Sequence, residues 1–217
     1  MSSAIILLSG GLDSFVSLDI AYKKFDEIFA LFFNYGQKAY QEEKDAVEKI
    51  TKHYQINYKE IELPFLNAIT LNALTDKNNN NYSELNSVWI PNRNGLFLNI
   101  AASYCDSFNY NYIVFGANKE ESASFSDNKK DFIELSDEIF KYSTMVHPKV
   151  FAPCSNMNKI DMVNYAIDNK LSLKLIKSCY QDINMSQKKH CGECMSCRLL
   201  YNAIKNSKNP ELLKEIF

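Results

Sequence analysis

Four cysteines carry the clearest chemical signal in this chain. Cys179, Cys191, Cys194 and Cys197 stand as Cys-x11-Cys-x2-Cys-x2-Cys, with Gly192 inside the tight part. Four thiolates match the closed tetrahedral sphere of structural zinc, and two-residue spacing lets neighbouring cysteines bend back onto one ion. An iron-sulfur cluster is the chemical rival, because Cys-x2-Cys-x2-Cys also occurs in ferredoxins. Zn2+ is the expected occupant, since no cue for electron transfer accompanies the cluster. Four cysteines leave no open coordination position, so the ion is expected to be a clamp whose loss unfolds the C-terminal region first. His190, beside Cys191, is the alternative to one thiolate. Cys105 and Cys154 lie apart and read as small buried apolar residues.

The second signal is Ser9-Gly10-Gly11-Leu12-Asp13-Ser14. Gly10 and Gly11 are expected to let successive backbone amides converge on one anion, in conformations a Cβ would forbid. The hydroxyls of Ser9 and Ser14 add donors, and Asp13 or Ser14 can cap the helix that follows. Phosphate is the natural guest of such a corner, and an ordinary turn is the plain alternative. Neither Gly-x-x-x-x-Gly-Lys-Ser/Thr nor Gly-x-Gly-x-x-Gly occurs in the chain, which removes the two better-known nucleotide patterns.

The elements around these residues make the phosphate reading stronger. Residues 4–8 form a short apolar strand, and helical spacing over 14–24 follows the glycine turn directly. A second apolar run at 28–33, an amphipathic stretch at 39–53 and an alternating run at 58–63 complete a β-α-β-α-β order. That order predicts an α/β fold with a parallel sheet covered by helices on both faces, and ligands beyond the carboxyl ends of the strands. Residues 64–94 break the pattern; with Asn78 to Asn81 among them, they read as a mobile loop or lid. Helices are predicted over 96–108, 132–142, 159–169 and 199–206, and a buried strand over 112–116. The expected organisation is an α/β domain over residues 1–170 and a small zinc-binding subdomain over 171–217, packed on the same core.

The chain has 217 residues, is 46% hydrophobic and 23% charged, and carries a formal net charge of −2. One main core is expected from that length. The acidic balance offers no global field for a polyanion, so a nucleic-acid partner is not expected. The first apolar run is too short for a signal segment or a membrane span, which predicts a cytoplasmic protein with reduced cysteines.

Ser-Gly-Gly-x-Asp-Ser resembles the pyrophosphate loop of the N-type ATP pyrophosphatases. Further strings extend the likeness to the 7-cyano-7-deazaguanine synthase family, nearly end to end. They are Tyr35-Gly36-Gln37 followed by Glu42, Ile90-Pro91-Asn92-Arg93-Asn94 with Phe97-Leu98, Ser178-Cys179-Tyr180, the cysteine run, and Lys159 after Pro153. The resemblance implies a Rossmann-like adenine nucleotide alpha hydrolase fold, with ATP on Leu8, Ser9, Gly10, Gly11, Leu12, Asp13 and Ser14, and Mg2+-pyrophosphate near Asp13. Asp13, Ser14, Arg93 and Lys159 become the catalytic candidates. Arg93 has the planar fork for a phosphate or carboxylate, and Lys159 stands either near the nucleotide or on a solvated helix start. Tyr35, Gln37, Arg93, Asn94, Glu121 and Asp127 become the substrate candidates. The implied partners are 7-carboxy-7-deazaguanine or a related acid, and ammonia; a homodimer is compatible with the likeness.

The departures concentrate in one place. Residues 121–129 keep Asp127 literally, with Glu121 and Phe125 as near equivalents, where the family carries Asp-x-Ser-Gly-Tyr-Pro-Asp-Cys-Arg. Lys38 and Ala39 replace Arg-His, and Asn92 replaces a glycine. A divergent paralogue adenylating a related carboxylate, and a tRNA-modifying enzyme with the same loop, are the competing readings.

Overall fold

The computed structural model describes residues 2–82, 85–182 and 190–217. Five strands, β1 (Ser3–Leu7), β2 (Glu27–Asn34), β3 (Asn57–Glu62), β4 (Tyr112–Val114) and β5 (Lys149–Phe151), form one sheet in the order β3-β2-β1-β4-β5. Every pairing is parallel. The helices are α1 (Leu12–Tyr22), α2 (Tyr40–Tyr54), α3 (Pro64–Ile69), α4 (Arg93–Phe108), α5 (Lys119–Ser124), α6 (Lys130–Ser143), α7 (Lys159–Asp168), α8 (Met195–Lys205) and α9 (Leu213–Ile216).

The central strands are buried on both faces, which is why they read as unbroken apolar runs. In β1, Ala4 and Ile6 pack with Phe15 of α1, Val47 of α2, Met162 of α7 and Leu200 of α8. Ile5 and Leu7 face the other way, against Leu98 and Ala101 of α4 and Phe140 of α6. Helix α8 therefore belongs to the same core as α1 and α7, with Leu200, Ala203 and Ile204 all buried there. Strand order reverses beside β1, between β2 and β4, and such a switch point opens a crevice at the carboxyl ends of the strands.

Three sequence expectations need correction. The 64–94 segment, read as a polar loop or lid without a core, packs apolar residues among those described. It contains α3, buries Leu66, Ala73, Leu74, Val88 and Ile90, and is tied back by Lys38 N–H to Leu74 O (2.8 Å) and Ala73 N–H to Ser87 O (2.9 Å). The Asn run is held by a cation: Lys38 Nζ donates to Asn79 O (2.8 Å), Asn80 Oδ1 (3.1 Å) and Tyr82 Oη (3.0 Å). Residues 83–84 of the segment lie outside the described residues. Strand β5 had no sequence signal, because three residues are too few to show a period. Helix α8 starts at Met195, earlier than its apolar spacing suggested, with Cys194 as its N-cap. Among the described residues, no helix is long and apolar enough to cross a membrane.

Candidate active site

The corner between β1 and α1 has a defined local cause. Gly10 sits at φ +80°, in the left-handed region, and a Cβ there would lie 2.9 Å from Ala46 Cβ and 3.0 Å from Glu43 O. Only glycine fits without movement of α2. Gly11 differs from the expectation made for it: at φ −79° and ψ 169° it is ordinary extended backbone, and a Cβ would meet nothing closer than 3.5 Å. It is the N-cap of α1 and brings no side chain to cap it, while Ser178 Oγ accepts from Leu12 N–H (3.4 Å) across the chain. The capping expected of Asp13 or Ser14 is therefore absent. Ser14 Oγ instead donates to Gly11 O (3.1 Å), accepts from Ser9 N–H (3.2 Å) and lies 3.1 Å from Ser9 Oγ, which stiffens the loop from inside.

This helix start opens on a cavity of about 260 Å³. The cavity walls bring together Leu8, Ser9, Gly11, Leu12, Asp13 and Ser14 with Tyr35, Gln37, Arg93, Asn94, Glu121, Asp127 and Lys159. Of the candidate loop residues, Gly10 alone lies behind the wall, where it supports the bend.

Asp13 is the electrostatic centre. Lys159 Nζ, at the start of α7, contacts both of its oxygens, at 2.7 and 2.6 Å, and lies 3.5 Å from Glu121 Oε1. Lys159 is thus no solvated helix start; it is buried. Burial pushes its amine down, but Asp13 and Glu121 outweigh burial and hold it protonated above its ordinary range. The Asp13 carboxyl is raised by burial, with the Lys159 charge pulling it back. The helix beneath Lys159 is fixed by a reciprocal cap: Asn158 Oδ1 accepts from Asp161 N–H (2.9 Å), and Asp161 Oδ2 accepts from Asn158 N–H (2.9 Å).

Arg93 heads α4, half-buried, with Nη1 3.4 Å from Tyr35 Oη and its guanidinium 5.6 Å from that ring's centre. Asn92, before it, takes φ +55°, which fits the glycine that the resemblance implies at this place: asparagine is among the few other residues that tolerate a left-handed backbone. Gln37 has little capacity left for a substrate. Its Nε2 donates to Phe33 O (2.9 Å) and Glu43 Oε2 (3.1 Å), and its Oε1 accepts from Tyr35 N–H (2.9 Å), so it shapes the wall. Phe33 stacks on Phe97 (4.0 Å, 7°), and Trp89 on Phe125 (5.7 Å, 9°); all four line the cavity and offer flat apolar surfaces.

Sequence reasoning passed over two charged residues of this wall. Glu43, on α2, is raised to about 7 by its desolvated position, against the lowering effects of Gln37, Arg93 and Lys177. Its only advance signal was proximity to Glu42. Lys177, one of 24 basic residues, had no signal at all.

The cysteines gather as the spacing required. The four sulfurs lie within 4.8 Å of one another, and Cys191 Sγ is 3.8 Å from Cys197 Sγ. Backbone amides point at the sulfurs: Gln181 N–H to Cys179, Glu193 and Cys194 N–H to Cys191, and Cys197 N–H to Cys194, at 3.3 to 3.5 Å. Such donors favour thiolates, the form that binds metal. His190 is not a fourth ligand. Its Nε2 accepts from Ser178 N–H (3.2 Å) and its Nδ1 donates to Ile216 O (3.1 Å), which settles the tautomer and ties the cysteine region to the C-terminal helix. Burial pushes the Cys105 and Cys154 thiols up to about 12 and about 11, in keeping with packing residues.

An all-parallel sheet, a glycine corner at its switch point and a cavity with a buried acid-lysine pair define an adenine nucleotide alpha hydrolase-like protein of the pyrophosphate-loop class. The U34-tRNA thiolase NcsA from Methanococcus maripaludis, solved with its 4Fe-4S cluster, shares this fold with a TM-score of 0.51. The match covers 79% of this chain and 58% of that one, at 18% identity.

The chain belongs to the family of queuosine biosynthesis protein QueC, whose model matches residues 3–208. The 7-cyano-7-deazaguanine synthase of Carboxydothermus hydrogenoformans is 39% identical over 215 residues, covering 94% of this chain and 98% of its own. That of Pelotomaculum thermopropionicum is 36% identical over 218 residues, covering 94% and 97%. Family membership sets aside both competing readings, the divergent paralogue and the tRNA-modifying enzyme.

Proposed function

We propose that this protein is a cytoplasmic ATP-dependent ligase that converts 7-carboxy-7-deazaguanine and ammonia to 7-cyano-7-deazaguanine. The observation that carries the reading is the shared cavity, in which the glycine corner, the Asp13–Lys159 pair, Arg93 and the aromatic walls meet. A carboxylate oxygen attacks the α-phosphorus of ATP, giving an acyl-adenylate and pyrophosphate. Ammonia then displaces AMP and leaves an amide. A second adenylation, on the amide oxygen, and loss of AMP with two protons give the nitrile.

The residues divide this work by chemistry. The charge that develops on pyrophosphate calls for fixed N–H groups and cations. The start of α1 and Lys159 provide them, and Asp13, with Glu121 beside it, is the carboxylate suited to hold Mg2+ against the phosphates. Arg93 neutralises a carboxylate or phosphate oxygen through its fork. Tyr35, Asn94 and Asp127 surround the heterocycle, and the Phe33–Phe97 and Trp89–Phe125 stacks offer it planar contact. Glu43, titrating at about 7, is matched to take a proton from ammonium.

The cysteine cluster fits Zn2+. Tetrahedral thiolates at a Zn–S distance of about 2.3 Å place sulfurs about 3.8 Å apart, the separation seen between Cys191 and Cys197. A cubane would spread its ligands over the corners of a larger body. Incubation with ATP, Mg2+, ammonium and 7-carboxy-7-deazaguanine, followed by mass spectrometry, tests the reaction. A nitrile with two AMP per turnover is expected; no AMP, or AMP formed only with another acid, overturns it.

A further inference from the structure

Three lysines are buried among the described residues, and they are not alike. Lys38 Nζ has three acceptors within 3.1 Å, and Lys159 Nζ has both oxygens of Asp13. Lys177 Nζ is enclosed and, among the described residues, has no acceptor within hydrogen-bonding distance. Its ion-pair contact is Glu42 Oε1, at 3.7 Å, and its side chain is 3% exposed. A buried cation lacking hydrogen bonds carries a large desolvation cost that one loose ion pair does not offset. Position makes the deficit informative. Lys177 lines the cavity, and its backbone N–H donates to Gly10 O at 2.8 Å, so the residue is anchored to the bend of the phosphate loop.

We propose that Lys177 is a further anion-binding residue of the cavity, turning from Glu42 to an anionic oxygen of the bound reactants. The proposal rests on the reading of the cavity as the ATP and carboxylate site. The oxygen comes from a nucleotide phosphate or from the carboxylate of the deazaguanine, and both offer the acceptor that Lys177 lacks. With Glu42 as its resting partner, the lysine keeps a defined place while the cavity is empty.

The test compares the wild type, E42Q, K177M and the E42Q/K177M double variant. The double variant removes both charges, and so keeps the question open to measurement if K177M alone fails to fold. Dissociation constants are measured for Mg-ATP, for adenosine and for 7-carboxy-7-deazaguanine, together with the melting temperature of the free protein. Loss of one charge-assisted hydrogen bond predicts affinity about ten- to hundredfold weaker. The result expected is that weakening, relative to E42Q, for Mg-ATP or for the carboxylate, with adenosine binding unchanged. Weakening of Mg-ATP assigns the partner as phosphate, and weakening of 7-carboxy-7-deazaguanine assigns it as carboxylate. Unchanged affinities in a folded double variant overturn the proposal, as does a parallel loss of adenosine binding, which marks Lys177 as wall material only. A wild-type chain that binds neither Mg-ATP nor the acid defeats the functional reading itself, and with it this proposal, before any variant is made.

Discussion

The cysteine knuckle and the cavity beside it solve opposite problems within a few residues of each other. In the knuckle every sulfur is drawn toward one point and Cys179, Cys191 and Cys194 each receive backbone donors, so the site is nearly complete before a metal arrives. In the cavity, beside the paired Asp13 and Lys159, some charge is kept under-satisfied: Glu43 is held partly protonated near neutrality, and among the described residues Lys177 Nζ has no hydrogen-bond acceptor. Residues that serve stability have their partners within the chain. Glu43 and Lys177 keep capacity for a ligand, whereas Asp13 and Lys159 are paired with each other. The two regions touch, since Ser178 Oγ lies 3.4 Å from Leu12 N and Cys179 follows it directly.

The comparison can be broken most severely at the metal. Cys194→Ser removes a metal ligand while leaving a hydroxyl able to cap α8, and is expected to abolish stoichiometric zinc and cost several kcal/mol of stability. Elemental analysis and urea denaturation check this; a folded variant with full metal content would place the knuckle outside the stabilising framework. Next is Asp13→Asn, expected to lower kcat/KM by about a thousandfold while the circular dichroism spectrum stays native. Equal turnover in that variant would remove Asp13 from the reaction.

The glycine pair sharpens the contrast within the loop itself. Gly10→Ala meets both a left-handed backbone and the Ala46 and Glu43 contacts, and should destabilise by about 1–3 kcal/mol. Gly11→Ala should change stability by less than about 0.5 kcal/mol, and should weaken Mg-ATP binding, because Gly11 itself lines the cavity. Denaturant midpoints and calorimetric affinities separate the two.

The smallest effect concerns Glu43. Its folded value, about 7, lies above the ordinary carboxylate value, so the folded state binds the extra proton. Stability from this group is full below about pH 4.5 and declines as pH rises to about 7. Glu43→Gln should flatten that decline. An unchanged slope in pH-resolved denaturation would show that the carboxyl does not titrate there.

Much of this site was legible because its parts are local. The glycine corner follows an apolar strand and precedes helical spacing, and the knuckle's last three cysteines lie within seven residues. Even a departure became readable: Asn92 in a glycine position satisfies the left-handed backbone that the turn into α4 demands. The packing of the 64–94 segment was not legible because its order comes from outside itself. Lys38 holds residues 79–82 across more than forty positions, and no window of the segment contains that cation.

The sequence by itself determined the fold class, the glycine corner between β1 and α1 and the four-cysteine set, all of which rest on periodicity and short-range spacing. Tertiary structure alone decided the charge pairing: Asp13 meets Lys159 across 146 residues, Lys38 is saturated, and Lys177 lies buried at the loop without an acceptor. A lysine carries the same charge wherever it stands in a chain. Only the packed fold sets how much water and how many acceptors surround it, and that environment decides whether the charge holds structure or awaits a ligand.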